Sequence, residues 1–245
     1  MDKAPESCYT RDSLKMKNRV LSLLAAVLVM AAGCNPPKYV AYRSIHGDFN
    51  AAVPWGWQIY TDQEGTGEAF SHVNFIGPFD PAFHLGVPSM SVRWYRNFWP
   101  HRLRDGRLEM YADVDDFIKQ TLQTVYGPEY DLKTPVKDID LRGSGLQAKL
   151  FVVLSRVPVH AEMRYGVEVD DETGESFNVR QHAYVIVPMG DGFYVLTYPA
   201  TRAGYNKYDE NFNQLVSAFQ PITRGPGGRK VRLPGPGKSG SAINL

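Results

Sequence analysis

Cysteine is almost missing from this chain: Cys8 and Cys34 are the only two in 245 residues. That excludes a disulfide-stapled scaffold and a cysteine-rich zinc site. Long apolar runs are missing too. The longest, Val20–Ala32, has 13 residues, which as helix rise only about 20 Å against a hydrocarbon core of roughly 30 Å, too short to span a bilayer. Charge of one sign is not in excess, with 27 basic and 26 acidic residues. A nucleic-acid binder would show a basic surplus or stripe, so no nucleic-acid partner is expected. The six histidines, at 46, 72, 84, 101, 160 and 182, have no HxH or HExxH spacing. No metal site and no cofactor are expected from them. No Gly-x-Ser-x-Gly elbow supports a nucleophilic serine, and no catalytic residue is assigned. Gly235-Pro236-Gly237-Lys238-Ser239 superficially suggests a phosphate loop, but Arg232 stands where the first glycine is required.

What is present begins at the N-terminus. Lys15, Lys17 and Arg19 precede the apolar run, and Ala31, Ala32 and Gly33 close it before Cys34. Basic, apolar and small-residue regions in that order form an export signal. Ending on a cysteine, this one resembles the bacterial lipoprotein signal, although Ala31 replaces the favoured leucine. The resemblance implies cleavage before Cys34 and lipidation of that residue, with palmitate and diacylglycerol as the membrane anchor. A plain secretory signal is the alternative. Asn35, where a retention aspartate is absent, favours the outer membrane over the inner. Residues before Met16 are polar and mixed in charge, so translation starting at Met16 fits the signal better. The first 34 residues hold 5 of the basic and 3 of the acidic residues, leaving the mature part near neutrality at −1. With Cys34 acylated, its stability rests on an ordinary hydrophobic core.

Residues 1–33 are thus read as signal, 34–43 as a tether, 44–222 as one domain and 223–245 as a disordered tail. The tail is rich in Gly, Pro and basic residues and has little apolar surface to offset its ordering entropy. Strand-like runs fill the domain: Asp48–Val53, Trp57–Tyr60, Ala69–Ile76, Ser89–Tyr95, Leu146–Val157, Tyr165–Val169, His182–Pro188 and Gly192–Tyr198. They are β-branched and aromatic, and several alternate in polarity. Met189-Gly190-Asp191-Gly192 predicts a hairpin turn, and Gly143-Ser144-Gly145 a turn before a strand. Asp113 predicts the cap of a helix whose apolar face is Val114, Phe117, Ile118, Leu122 and Val125, stopped by Gly127-Pro128. Phe212, Leu215, Val216 and Phe219 predict a second helix, ended by Pro221. Many strands with two one-sided helices imply an α+β fold, a largely antiparallel sheet flanked by helices.

Particular residues sharpen this. Phe49-Asn50-Ala51-Ala52-Val53-Pro54-Trp55-Gly56-Trp57 is similar to the strand and Pro-x-Gly-Trp turn of the PsbP-like superfamily. The likeness continues through Phe75-Ile76-Gly77-Pro78, Ser91-Val92, Asp115-Asp116-Phe117, Gly192–Tyr198 and the Phe212–Phe219 helix, covering roughly Gly47 to Pro221. It implies an α/β/α sandwich and a non-enzymatic role in assembly or binding. These motifs are core residues and turns, so no active-site residue is carried over. Phe79–Pro88 and the stretch around Trp99 read as local insertions.

Two surface features remain. Glu168, Asp170, Asp171, Glu172 and Glu175 read as a solvated hairpin tip, with oxygen ligation of a hard cation as the alternative; EF-hand spacing is absent. Trp94, Tyr95, Arg96, Phe98 and Trp99 are the candidate interface. Alternation cannot send all four aromatics to one face, and Trp, Tyr and Arg are common interface anchors. Burial in a secondary core is the competing reading. The chain is therefore expected to be a lipid-anchored, non-enzymatic binding or assembly module of the bacterial envelope, with a membrane contact through lipid and an envelope protein partner. Convergent polar groups in a deep pocket would favour instead a hydrolase with a dispersed site; a broad apolar face would favour binding, or chaperoning of apolar segments. Cys34→Ser should release the protein from the membrane fraction or leave it unprocessed, as fractionation and mass measurement will show. Unchanged, detergent-requiring membrane association in that variant rules the lipoprotein reading out.

Overall fold

The computed structural model describes residues 37–61, 70–102, 108–142, 144–159, 164–224 and 230–231. The segment read as a signal, Cys34, the phosphate-loop-like segment and almost all of the segment read as a tail lie outside them. By its contacts the chain divides into Met1–Lys38 and Tyr39–Leu245. The described strands and helices all belong to the second unit.

The strands are β1 (Tyr39–Arg43), β2 (Phe49–Pro54), β3 (Gln58–Thr61), β4 (Phe70–Ile76), β5 (Ser89–Arg96), β6 (His101–Arg102) and β7 (Leu108–Glu109). After helix α1 (Val114–Thr121) come β8 (Asp131–Leu141), β9 (Leu146–Pro158), β10 (Glu168–Val169), β11 (Ser176–Pro188) and β12 (Gly192–Thr201). Helix α2 (Arg202–Ala218) leads to the short β13 (Gln220–Pro221), β14 (Thr223–Arg224) and β15 (Lys230–Val231). The main sheet runs β3-β4-β5-β12-β11-β9-β8, with β10 also on β11, and every pairing in it is antiparallel. A smaller sheet runs β1-β2-β13. The architecture is the α+β sandwich implied by the sequence.

Alternation explains the layering. On β11, Ala183, Val185 and Val187 enter one core while Tyr184 and Ile186 enter another; on β12, Leu196 and Tyr198 oppose Phe193 and Val195. The first core is closed by α2 through Tyr205, Phe212, Leu215, Val216 and Phe219, together with Phe49, Ala51 and Val53 of β2. The second is closed by α1 through Val114, Phe117 and Ile118. Each helix starts on a side-chain cap, since Asp113 accepts from the Asp116 amide at 2.9 Å and Thr201 Oγ from the Gly204 amide at 3.0 Å. Asp115 and Asp116 also complement the positive end of the α1 dipole.

Four elements depart from expectation. Tyr39–Arg43, assigned to the tether, pairs with β2 from Tyr39↔Pro54 to Arg43↔Asn50; Tyr39 further donates its hydroxyl to Asn211 Oδ1 at 3.0 Å. Val125, placed on the apolar face of α1, is exposed, and Tyr126 is buried instead. The cause is a π-helical turn, Leu122–Tyr126, which rotates the last residues relative to a 3.6-residue repeat. Strand β8 has no strand-like pattern, because it carries Pro135 and the charged Asp131, Lys133, Lys137, Asp138 and Asp140. It lies at the sheet edge, and its register with β9 shifts on either side of Thr134, where a residue lacking an amide hydrogen is tolerated. Of Tyr165–Val169, only Glu168–Val169 is strand.

Phe212 is fully buried and meets Tyr198 with ring centroids 5.7 Å apart. Phe212→Ala should cost about 3–5 kcal/mol in denaturant unfolding. A loss below about 1 kcal/mol would show that α2 does not close this core.

Candidate functional site

Beyond β5 the chain reverses at Phe98, the one non-glycine residue with positive φ (57°) among the described residues. Its amide donates to Tyr111 O at 2.8 Å, and β6 pairs with β7 as His101↔Glu109 and Arg102↔Leu108. The result is a hairpin leaning on the end of the main sheet. His101 and Tyr111 turn inward against Tyr95, with centroids at 5.0 and 5.2 Å. His101 Nε2 lies 3.1 Å from Glu109 Oε2. Burial works to raise the Glu109 carboxyl, but the hydrogen bonds from His101 and Tyr111 outweigh it and hold the group below its ordinary range.

The outward side is apolar. Phe98 is 70% exposed, Trp99 51%, Leu108 66% and Met110 51%. The Arg96 guanidinium sits 5.0 Å above the Trp99 ring and 4.0 Å from Asp191 of the β11–β12 turn. That turn closes by a Met189 amide to Gly192 O bond of 2.8 Å.

The five interface candidates therefore separate. Tyr95 is 2% exposed and stacks on Phe193 at 5.5 Å, because its strand position faces α1; it is core and offers nothing to a partner. Trp94, on the opposite strand face, is half-buried against Tyr194 at 4.9 Å. Arg96, Phe98 and Trp99 remain at the surface. Leu108 and Met110 complete the patch and were missed, since their place beside Phe98 and Trp99 depends on a hairpin closed across several residues.

A second group was also missed. The Tyr126 hydroxyl lies 2.6 Å from His182 Nδ1 and 2.7 Å from the Tyr184 hydroxyl. Burial, then the charges of Arg180 and His84, push the His182 imidazole down to about 3. Only the strand pairing brings His182 under the α1 turn; in the sequence it is one scattered histidine.

The acidic turn folds on itself. Asp170 Oδ1 accepts from the Glu172 and Thr173 amides at 3.1 and 3.0 Å, its Oδ2 faces Arg156 at 3.3 Å, and Gly174 has φ 70°. Among the described residues, no group of three or more His, Cys, Asp or Glu side chains is placed to hold a metal ion. A groove of about 640 Å³ runs along the small sheet, lined by Tyr39, Tyr42, Asn50 and Gln220, with Arg43 as its one charged wall. No helix among the described residues is long and apolar enough to cross a membrane.

An antiparallel sheet between helices, with an apolar hairpin at one end, defines an α+β sandwich. No family model matches the chain, and no curated protein matches it in sequence. Among solved structures it is similar to cyanobacterial PsbP (CyanoP) from Synechocystis sp. PCC 6803, at 10% identity over 77% of this chain and 95% of that one, with a TM-score of 0.43. It is similar to the Ran-binding protein Mog1p of Saccharomyces cerevisiae, at 9% identity, 75% and 95% coverage and a TM-score of 0.39. LpqN of Mycobacterium tuberculosis, involved in cell envelope biogenesis, is similar at 11% identity, 74% and 88% coverage and a TM-score of 0.32.

His182 generates a pH prediction. Its folded pKa lies below its unfolded value of about 6.5, so the unfolded chain binds the extra proton. Stability is therefore full above about pH 6.5 and is lost as pH falls toward 3, by at most about 1.4 kcal/mol per unit from this group. Chemical denaturation between about pH 6.5 and 5 should show that slope, and His182→Gln should flatten it. Equal slopes in the two proteins would contradict the assignment.

Proposed function

We propose that this protein is a non-enzymatic binding module of the bacterial cell envelope, held on the membrane by lipid at Cys34 and gripping a protein partner through the hairpin that follows β5. The observation that carries the reading is the exposed patch of Phe98, Trp99, Leu108 and Met110 on a rigid base. Scattered single apolar residues on a surface need no explanation, whereas four large ones exposed on one short hairpin and the reversal that leads into it point to a contact. Phe98 strengthens the argument. Holding a phenylalanine in the left-handed region costs of order 1 kcal/mol, and here that conformation turns an aromatic ring outward. Beneath it His101 and Tyr111 pack on Tyr95, which ties the residues flanking the patch to the sheet. Arg96 over Trp99 adds the cation–aromatic pairing found among interface anchors. The acylated Cys34 is inferred from the signal alone; it would restrict partners to proteins of the same membrane or adjoining compartment, with the outer membrane favoured.

Affinity capture from detergent-solubilised membranes, with Trp99→Ala as the control bait, tests the surface. Trp99→Ala should change unfolding stability by less than about 0.5 kcal/mol and weaken the captured partner by at least about 1 kcal/mol. Equal capture by both baits, or a core-like stability loss of about 3 kcal/mol or more, would refute this surface.

A further inference from the structure

Strand β11 carries Arg180, His182 and Tyr184 on the face that α1 covers. The α1 turn closes over Tyr184 and His182 through Tyr126 and goes no further. Arg180 lies one step beyond, paired in register with Ser155 of β9 and Thr201 of β12. The loop from Gly77 to Pro88 crosses near this end of the sheet. It is pinned by the Thr201 hydroxyl bonding Ala82 O, by Asp80 N to Gly86 O at 2.8 Å and by Gly86 N to Phe83 O at 2.7 Å. Phe83 enters the α2 core, and His84, the next residue of the loop, is left close enough for the charge of Arg180 to act on it and for its own charge to act on His182. Arg180 and His84 are half-buried, and His182 is buried.

Among the described residues this is a gathering of basic groups without a counter-charge. Three acidic side chains of neighbouring segments are engaged elsewhere: Glu168 with Arg202, Asp170 with Arg156, and Asp80 with Lys207. Among the described residues, no carboxylate pairs with Arg180. The other ionisable groups near it, Tyr126 and Tyr184, are held neutral, burial being the largest cause. Partial burial strips water from the guanidinium with no carboxylate among the described residues to replace it, which is unfavourable. His182 shows the same deficit at atomic scale. Its Nδ1 is occupied by Tyr126, and its Nε2 is buried with no hydrogen-bond partner among the described residues. A buried nitrogen left without a partner calls for an explanation, and a bound ion or ligand is one.

We propose that Arg180, His84 and His182 form a binding site for a small oxyanion, the carboxylate or phosphate group of a ligand, seated between the Gly77–Pro88 loop and β11. An anion at His182 Nε2 places the ring proton there, so that Nδ1 accepts from Tyr126 and Tyr126 accepts from Tyr184. Arg180 supplies the planar donor pair that oxyanions favour, and His84 supplies a further donor from the loop. The site is separate from the aromatic hairpin, which lies beyond the other end of β5.

The test uses the full chain in detergent micelles, labelled with ¹⁵N at histidine. Sodium phosphate and sodium acetate are titrated separately at constant ionic strength near about pH 7, where an unperturbed imidazole is mostly neutral. The expected result is a saturable shift of the His182 and His84 ring resonances, half-complete in the range of ~1 mM. Phosphate alone acting identifies a phosphate ligand, acetate alone a carboxylate, and both a site open to either. Arg180→Gln should abolish the shift, Arg180→Lys should weaken it about tenfold by losing the planar pair, and Arg156→Gln should leave it intact. No saturable shift with either anion in the wild type, or an undiminished shift in Arg180→Gln, overturns the proposal. Should Arg180→Gln fail to fold, the wild-type titration and Arg180→Lys decide alone, and equal affinity in those two counts against it.

Discussion

Everything in this fold follows from two strands that are apolar on both sides. β11 and β12 occupy the middle of the sheet, and their successive residues enter opposite cores. A strand of this kind is stable only when something covers each face, at roughly 1.5–3 kcal/mol for every large side chain taken from water. Two covers are therefore obligatory. Helix α2 and the small sheet supply one, and α1 supplies the other. The same alternation holds the register, because a slip of one residue would exchange the two cores and set Tyr198 and Phe193 in each other's places.

The covers are unequal, and the functional character of the surface comes from that inequality. Helix α2 has 17 residues and α1 has 8. The longer helix and β2 together close their face with a continuous apolar cluster. The shorter one reaches only as far as Tyr184 and His182 before its π-helical turn ends at Gly127. Beyond it the same sheet face turns polar, with Arg180 and Ser155 side by side. Toward the opposite end of β5 the uncovered edge is occupied by the Phe98 reversal and its hairpin. An incomplete cover thus leaves two distinct chemistries at the margins, one apolar and one basic.

Much of the fold was legible along the chain. The caps at Asp113 and the hairpin at Met189–Gly192 are local hydrogen-bond patterns, and they occur where their residues predict. The strands from Ser89, Leu146 and Gly192 announce themselves by β-branched and aromatic runs. Legibility failed where structure depends on a distant partner. β8 is polar and broken by Pro135, and it is a strand because β9 offers it an edge. β1 reads as tether because its five residues carry no pattern of their own; β2 makes them a strand. The candidate site was readable in the same partial way. Trp94 to Trp99 stood out by composition, yet nothing local tells that Tyr95 packs inside while Phe98 stays out.

By itself, the sequence determined which residues seek burial, where helices begin and where chains turn, and at the N-terminus it offers only a resemblance to a lipoprotein signal. These are properties of neighbouring residues, set by side-chain chemistry and by the few conformations that each backbone permits. Tertiary structure alone decided which apolar residues found cover. It left Leu108 and Met110 beside Phe98 and Trp99, and it gathered His84, Arg180 and His182 from separate segments. The physical reason is that burial and charge are settled by what lies across space. For a side chain on a sheet, that neighbour is supplied by a strand or helix many residues away.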